Sequence, residues 1–106
     1  PPNGAVLVAS VDGAWVACVS LKTIGPGTGY LKRMWVDDSI RGLGVGRRLL
    51  AAVEAEARRL GMGVLRLETN RALKEAIRLY ETAGYDHIPR FNDEPYADYW
   101  FEKRLA

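Results

Sequence analysis

The sequence predicts a mixed α/β fold: a mostly antiparallel sheet with a parallel strand pair at its centre and helices flanking it. Three observations predict it. Asp12-Gly13 joins two apolar, β-branched runs, the pattern of a two-residue hairpin turn. A strand, a glycine-rich turn, an amphipathic helix and a second strand then follow in order, which implies a right-handed crossover and parallel strands. Two short strand-like runs around an irregular loop close the chain.

With 106 residues there is room for one modest domain, residues 1–106. A composition of 48% hydrophobic and 26% charged residues excludes a disordered chain. The longest apolar runs are strand-length, so no membrane partner is expected. Net charge is only +2, which gives no basis for a nucleic-acid partner. Pro1-Pro2 without an initiator Met points to sequence upstream of this chain.

Residues 5–11 and 14–21 read as the first hairpin, and Gly25-Pro26-Gly27 breaks the chain before a strand at 29–36. The helix at 47–60 turns Leu49, Leu50, Val53, Ala57 and Leu60 to one face, and Gly61 ends it. Glu54, Glu56, Arg58 and Arg59 stand at i,i+3 and i,i+4 spacings, which predicts a solvated ion-pair face. A strand at 64–69 leads to a helix at 72–83 with Leu73, Ala76, Ile77 and Tyr80 on one face, stopped by Gly84. Strands at 85–88 and 98–103 flank the loop 89–97. Cys18, the single cysteine, lies among Val16, Ala17 and Val19 and reads as a buried, inert thiol, consistent with a cytoplasmic protein. One Cys and one His without ligand spacing give no metal site.

Arg41-Gly42-Leu43-Gly44-Val45-Gly46 is the stretch that carries chemistry. Glycines let backbone N–H groups approach a ligand. The helix start adds unpaired donors and a partial positive charge that suit a diphosphate. Arg41, Arg47 and Arg48 add full charges. A Walker loop requires Gly-Lys-Ser/Thr, whereas Gly46 is followed by Arg47-Arg48. The dinucleotide fingerprint requires G-x-G-x-x-G, whereas this turn reads G-x-G-x-G. From the turn alone, an anion cradle and a glycine-rich turn without a ligand both stand.

The stretch 30–85 resembles the core of the GNAT superfamily of N-acetyltransferases. Its cofactor motif, Gln/Arg-x-x-Gly-x-Gly/Ala, is matched by Arg41, Gly44 and Gly46, and its leading strand resembles Met34-Trp35-Val36-Asp37. Leu65-Arg66-Leu67-Glu68-Thr69-Asn70, the run from Ala76 to Tyr85, and the closing run from Tyr99 to Leu105 resemble its later signatures. The loop Phe91-Asn92-Asp93-Glu94-Pro95-Tyr96-Ala97 resembles a run of a bacterial subgroup, some of whose members are fused to MarR-type regulators.

The resemblance implies an acetyl-CoA-dependent N-acetyltransferase with no metal, whose two parallel strands splay apart around the pantetheine arm. The main chain of Met34, Trp35 and Val36 would pair with that arm, and the diphosphate would rest on Arg41, Gly42, Leu43, Gly44, Val45, Gly46 and Arg47. The amine would attack directly in a ternary complex, since no well-placed Cys is available to form an acyl-enzyme. Tyr80 matches the family's tyrosine that serves the departing thiolate; it also fits as an aromatic filling its helix's apolar face. Asn70 either caps the second helix or bonds the pantetheine arm. Glu68 stands two residues before Asn70 in strand phase and so shares its face, which makes it the first candidate for the base, with Glu94, Asp98 and His87 behind it and water alone as another route. The acceptor would be a primary amine on a small molecule or a protein. A non-catalytic acyl-CoA-binding regulatory module is the alternative. The family's first strand and two helices have no counterpart here, so the edge near Val6 and Val8 would be covered by more of the chain or by a partner subunit, as in a homodimer, or left bare in a truncated module.

Overall fold

Asp12 and Gly13 both take left-handed backbone angles, φ 50° and 81°, the requirement of a type I′ turn. In this computed structural model, which describes residues 4–40 and 42–105, they join β1 (Gly4–Val11) to β2 (Ala14–Gly25). The second strand runs past its expected end at Leu21. Gly25 pairs directly with Thr28, so only Pro26 and Gly27 form the corner into β3 (Thr28–Val36). A 3₁₀ turn at Asp38–Ile40 leads toward α1 (Val45–Arg59). Then come β4 (Val64–Thr69), α2 (Lys74–Thr82), β5 (Asp86–Ile88) and β6 (Tyr99–Arg104).

The six strands lie in the order β1-β2-β3-β4-β6-β5. Only β3 and β4 run parallel; every other neighbouring pair is antiparallel. The mixed α/β architecture is therefore the one expected. The last strand inserts beside β4 and leaves β5 at the edge.

Cross-strand partners share a face, and the register divides the sheet cleanly. Leu7 stands opposite Val19, Leu21 opposite Leu31 and Leu67 opposite Phe101. This is the helix face, buried beneath Leu49, Leu50, Val53 and Ala57 of α1. The other face carries Tyr30, Lys32, Arg66, Glu68 and Trp100, and the segment 89–98 folds over part of it. Phe91 packs edge-on against Tyr30, with ring centroids 6.0 Å apart. This is the loop face.

Both helices differ a little from expectation. The first begins at Val45, because Gly44 is its N-cap, and Leu60 caps its other end before Gly61 turns at φ 83°. The second starts only at Lys74, with Leu73 as an exposed N-cap. Glu56 and Arg59 pair on the surface as predicted. Glu54 does not belong to that solvated face: it is 6% exposed, accepts the Tyr85 hydroxyl at 2.8 Å and pairs with Lys103 at 3.0 Å. Helix spacing gave Glu54 an exposed partner, but the fold supplies better ones from sequence-distant elements. Cys18 is half-buried rather than buried, lying between Val8 and Trp35 in register. Val6 is 66% exposed on the same face, and Val8 is exposed beside it. Among the described residues no helix is long and apolar enough to cross a membrane.

Candidate functional site

The parallel pair is short. β3 and β4 are matched at Thr28–Val64, Gly29–Leu65 and Tyr30–Arg66, and beyond that no pair joins them. From there β3 stays with β2, while Leu67, Glu68 and Thr69 of β4 pair with β6. A β-bulge accompanies the parting: Ser20 stands opposite Lys32 but Cys18 opposite Trp35, which leaves an extra residue on β3. Arg33 sits in that bulge at φ 57°, a left-handed angle uncommon outside glycine. Bulges bend a strand and sharpen its twist. The far end of β3 is thus turned away from β4 by its own backbone.

A cleft of about 600 Å³ opens along this end, within the range of small-molecule sites. Met34, Trp35 and Val36 form one wall. The glycine turn and the start of α1 form the second, through Gly42, Gly44, Val45, Gly46 and Arg47. Ala72 to Ala76, Leu79 and Tyr80, at and before α2, form the third. Leu43 is exposed and lines nothing there; Arg41 lies outside the described residues.

The glycines of the turn serve two different ends. Gly42 and Gly44 take φ 84° and 77°, angles that side chains rarely adopt, and an added Cβ at either would meet open space. Their requirement is conformational. Gly46 is different: a Cβ there would lie 3.3 Å from Leu79 Cδ2, so its smallness lets α1 approach α2. Gly44 caps α1 with no side-chain hydrogen bond. The first-turn N–H groups, which lack intrahelical acceptors at any helix start, are thus not taken up by a capping side chain, and the helix dipole adds positive potential at the cleft. Arg47 lines the same wall and donates to Thr82 Oγ1 at 2.9 Å. This donor set and the room above it fit a diphosphate.

Tyr80 stands at the inner wall, 6% exposed, with its ring 5.7 Å from Phe101 and 5.9 Å from Tyr85. Its hydroxyl reaches Met34 Sδ at 3.6 Å, a weak acceptor. Burial, and then the nearby charge of Glu68, push its pKa up to about 12. The phenol therefore keeps its proton at neutral pH.

Glu68 lies on the loop face, across the splay from Tyr80. Its Oε1 accepts the Tyr30 hydroxyl at 2.5 Å and Asn92 Nδ2 at 2.6 Å. Burial first, then the bond to Glu68, push the Tyr30 phenol well above its ordinary range. The other acidic candidates are engaged elsewhere. Glu94 pairs with Lys32 at 3.5 Å, and Asp98 Oδ2 accepts the Arg71 N–H at 2.9 Å. His87 is on the helix face, half-exposed, with Nε2 2.8 Å from Glu81.

Asn70 is not the cap of α2, which begins four residues later at Lys74 with Leu73 as N-cap. Its Oδ1 accepts the Ala72 N–H and its Nδ2 donates to Tyr96 O, both at 2.8 Å. It ties the end of β4 to the loop and does not line the cleft. The sequence does not announce Tyr30 and Asn92 as site residues. Each meets Glu68 across a long stretch of chain, so no local spacing announces them; the one available signal was the polar-aromatic loop that contains Asn92. Among the described residues no cluster of three His, Cys, Asp or Glu could hold a metal.

The chain matches the family described as the acetyltransferase (GNAT) family over residues 1–85. It is 41% identical over 86 residues to an IAA acetyltransferase of Azospirillum brasilense, covering 79% of this chain and 56% of that protein. It spans between 35% and 60% of the length of the curated relatives it matches. A solved structure assigned as an acyl-CoA N-acyltransferase from Klebsiella pneumoniae superposes with a TM-score of 0.90 at 35% identity, over 100% of this chain and 76% of that one. The PaiA N-acetyltransferase of Thermoplasma acidophilum, solved in complex with coenzyme A, shares the fold at a TM-score of 0.84 and 20% identity, over 96% of this chain and 61% of that one.

Proposed function

The chain belongs to the acetyltransferase (GNAT) family, and from that premise we propose that it transfers the acetyl group of acetyl-CoA to a primary amine, on a small molecule or a protein. The observation that carries this reading is the cleft itself. It runs from the start of α1, where the Gly44 N-cap brings no side-chain hydrogen bond, to the buried hydroxyl of Tyr80, at the point where β3 and β4 part. The coenzyme A held by the Thermoplasma protein of the same fold supports the choice of cofactor.

When bound, acetyl-CoA supplies a thioester whose carbonyl carbon the amine attacks directly. The first-turn N–H groups of α1, with Gly42, Gly44 and Arg47, bind the diphosphate. The main chain of Met34, Trp35 and Val36 offers hydrogen bonds to the pantetheine amides. Glu68 is the group through which an alkylammonium passes to solvent the proton it must lose before its nitrogen can attack.

Magnitudes decide what Tyr80 does. An ordinary thiol titrates near ~8.5, well below a phenol at about 12. Complete proton transfer from Tyr80 to the sulfur is therefore uphill. Its role is a hydrogen bond to the charge that builds on the departing sulfur, the kind of preorganised donor that lowers barriers most.

The experiment is acetyl transfer to a panel of primary amines, followed by CoA release, beside calorimetry with CoA. Transfer with measurable CoA affinity supports the reading. Affinity without transfer to any amine would return the chain to an acyl-CoA-binding regulatory module.

A further inference from the structure

The surroundings of Glu68 are more ordered than a lone surface carboxylate requires. Both donors that reach it, the Tyr30 hydroxyl and Asn92 Nδ2, converge on the same oxygen, Oε1. Among the described residues Oε2 accepts no hydrogen bond, and Glu68 has no ion-pair partner. The charged groups around it on the loop face are otherwise occupied. Lys32 is paired with Glu94, Arg66 with Glu102, and Arg90 lies over the Trp100 ring at 4.9 Å. From the helix face, the neutral phenol of Tyr80 lies within reach of the Glu68 charge.

The orientation of Asn92 is also fixed. Trp100 Nε1 lies 2.9 Å from Asn92 Oδ1, and an indole N–H can only donate. The amide oxygen must therefore face Trp100, and the NH₂ group must face Glu68. Trp100 in turn stands directly opposite Glu68 in the β4–β6 ladder. A chain of bonds from Trp100 through Asn92, joined by Tyr30 from β3, clamps one carboxylate oxygen and leaves the other open.

We propose that Tyr30 and Asn92 are positioning residues for the amine acceptor: by holding Oε1 they keep Oε2 presented to the ammonium group whose proton it removes. The inference rests on the acetyl-transfer reading above. In the step, an N–H bond of the ammonium breaks and an O–H bond forms at Oε2. The freed lone pair attacks the thioester carbon, and the C–S bond breaks with its electron pair on sulfur. Two protons leave nitrogen overall: the first passes through Glu68 to solvent, and the second balances the departing sulfur.

The test compares wild type, Tyr30→Phe and Asn92→Ala with two nucleophiles, the best primary alkylamine of the panel and hydroxylamine, which is already unprotonated at neutral pH. With the alkylamine near ~pH 7, kcat/KM falls roughly 10- to 100-fold in each variant, the scale of a misplaced catalytic group. The deficit shrinks toward ~pH 9, because solution itself then supplies more neutral amine as its value near ~10 is approached. Hydroxylamine turnover and the KM for acetyl-CoA stay nearly unchanged. A loss equal for both nucleophiles at every pH, or no loss in Tyr30→Phe, overturns the proposal. Tyr30→Phe keeps its ring against Phe91, so it decides the matter even if Asn92→Ala fails to fold. A wild-type chain that acetylates neither nucleophile sinks the acetyl-transfer reading and this one with it; wild-type turnover with unaffected variants overturns this one alone.

Discussion

Tyr80 shows how a single residue can satisfy packing and leave its polar end available. Its ring fills the space between Phe101 and Tyr85, while among the described residues its hydroxyl has only the Met34 thioether for company. Tyr80→Phe therefore removes almost nothing from the folded state. On the proposed mechanism it removes a donor used when the sulfur departs, so kcat falls by roughly 10²-fold while acetyl-CoA affinity holds. Steady-state kinetics beside calorimetry checks both halves; an unchanged kcat with a lower Tm would make Tyr80 a core residue only. Helical phase made the position of Tyr80 legible, and strand phase did the same for Glu68. Their relation across the splay was not legible, because it depends on a bulge at Arg33 that no residue type advertises. The capping reading of Asn70 fails for a similar reason. A side chain at the end of a strand looks like a helix cap until a loop from further along the chain claims it.

At the scale of elements, the start of α1 combines a backbone requirement with a binding surface. Gly44 is its N-cap at φ 77°, where a β-branched residue is strained by about 1–2 kcal/mol. Gly44→Val is expected to lower Tm modestly and to weaken CoA binding strongly, because the first turn would be displaced and a side chain would stand over its N–H groups. Calorimetry tests this directly; unchanged CoA affinity would move the binding site elsewhere. Glycine spacing makes the turn readable but does not show that α1 begins at Val45. Gly46 counted as turn in the sequence, whereas it is helical and serves the approach of Leu79. The outward face of α1 was only partly readable. Glu56 and Arg59 are neighbours along one helix, so spacing finds them. Glu54 finds Tyr85 and Lys103 only after β6 has taken its place beside β4.

For the whole molecule, three phenols are held protonated by the fold. Burial, and then the bond to Glu54, push Tyr85 far above the ordinary range; Tyr30 is also raised, and Tyr80 reaches about 12. The folded state thus binds these protons more tightly than the unfolded chain. Below the unfolded value near ~10 both states are protonated and the contribution to stability is complete. Above it the unfolded chain releases protons first, and stability falls as pH rises toward the folded values. Tm should be nearly level from neutral pH to about 9 and drop steeply beyond ~10, with a shallower drop in Tyr85→Phe; equal slopes in the two proteins would contradict this. The strand order itself was only partly legible. The hairpin and the parallel pair followed from turn chemistry and crossover handedness, but nothing in the periodicity of β5 and β6 says which of them lies beside β4. The parting of β3 and β4 has a last consequence. Tyr80 and the cleft lie on one side of the sheet and Glu68 on the other, so on the proposed reading the sheet is a wall with a single slot. Cofactor and amine arrive through separate doors and meet only in the slot. Each product can then back out the way its parent came, and neither has to wait for the other to clear the path.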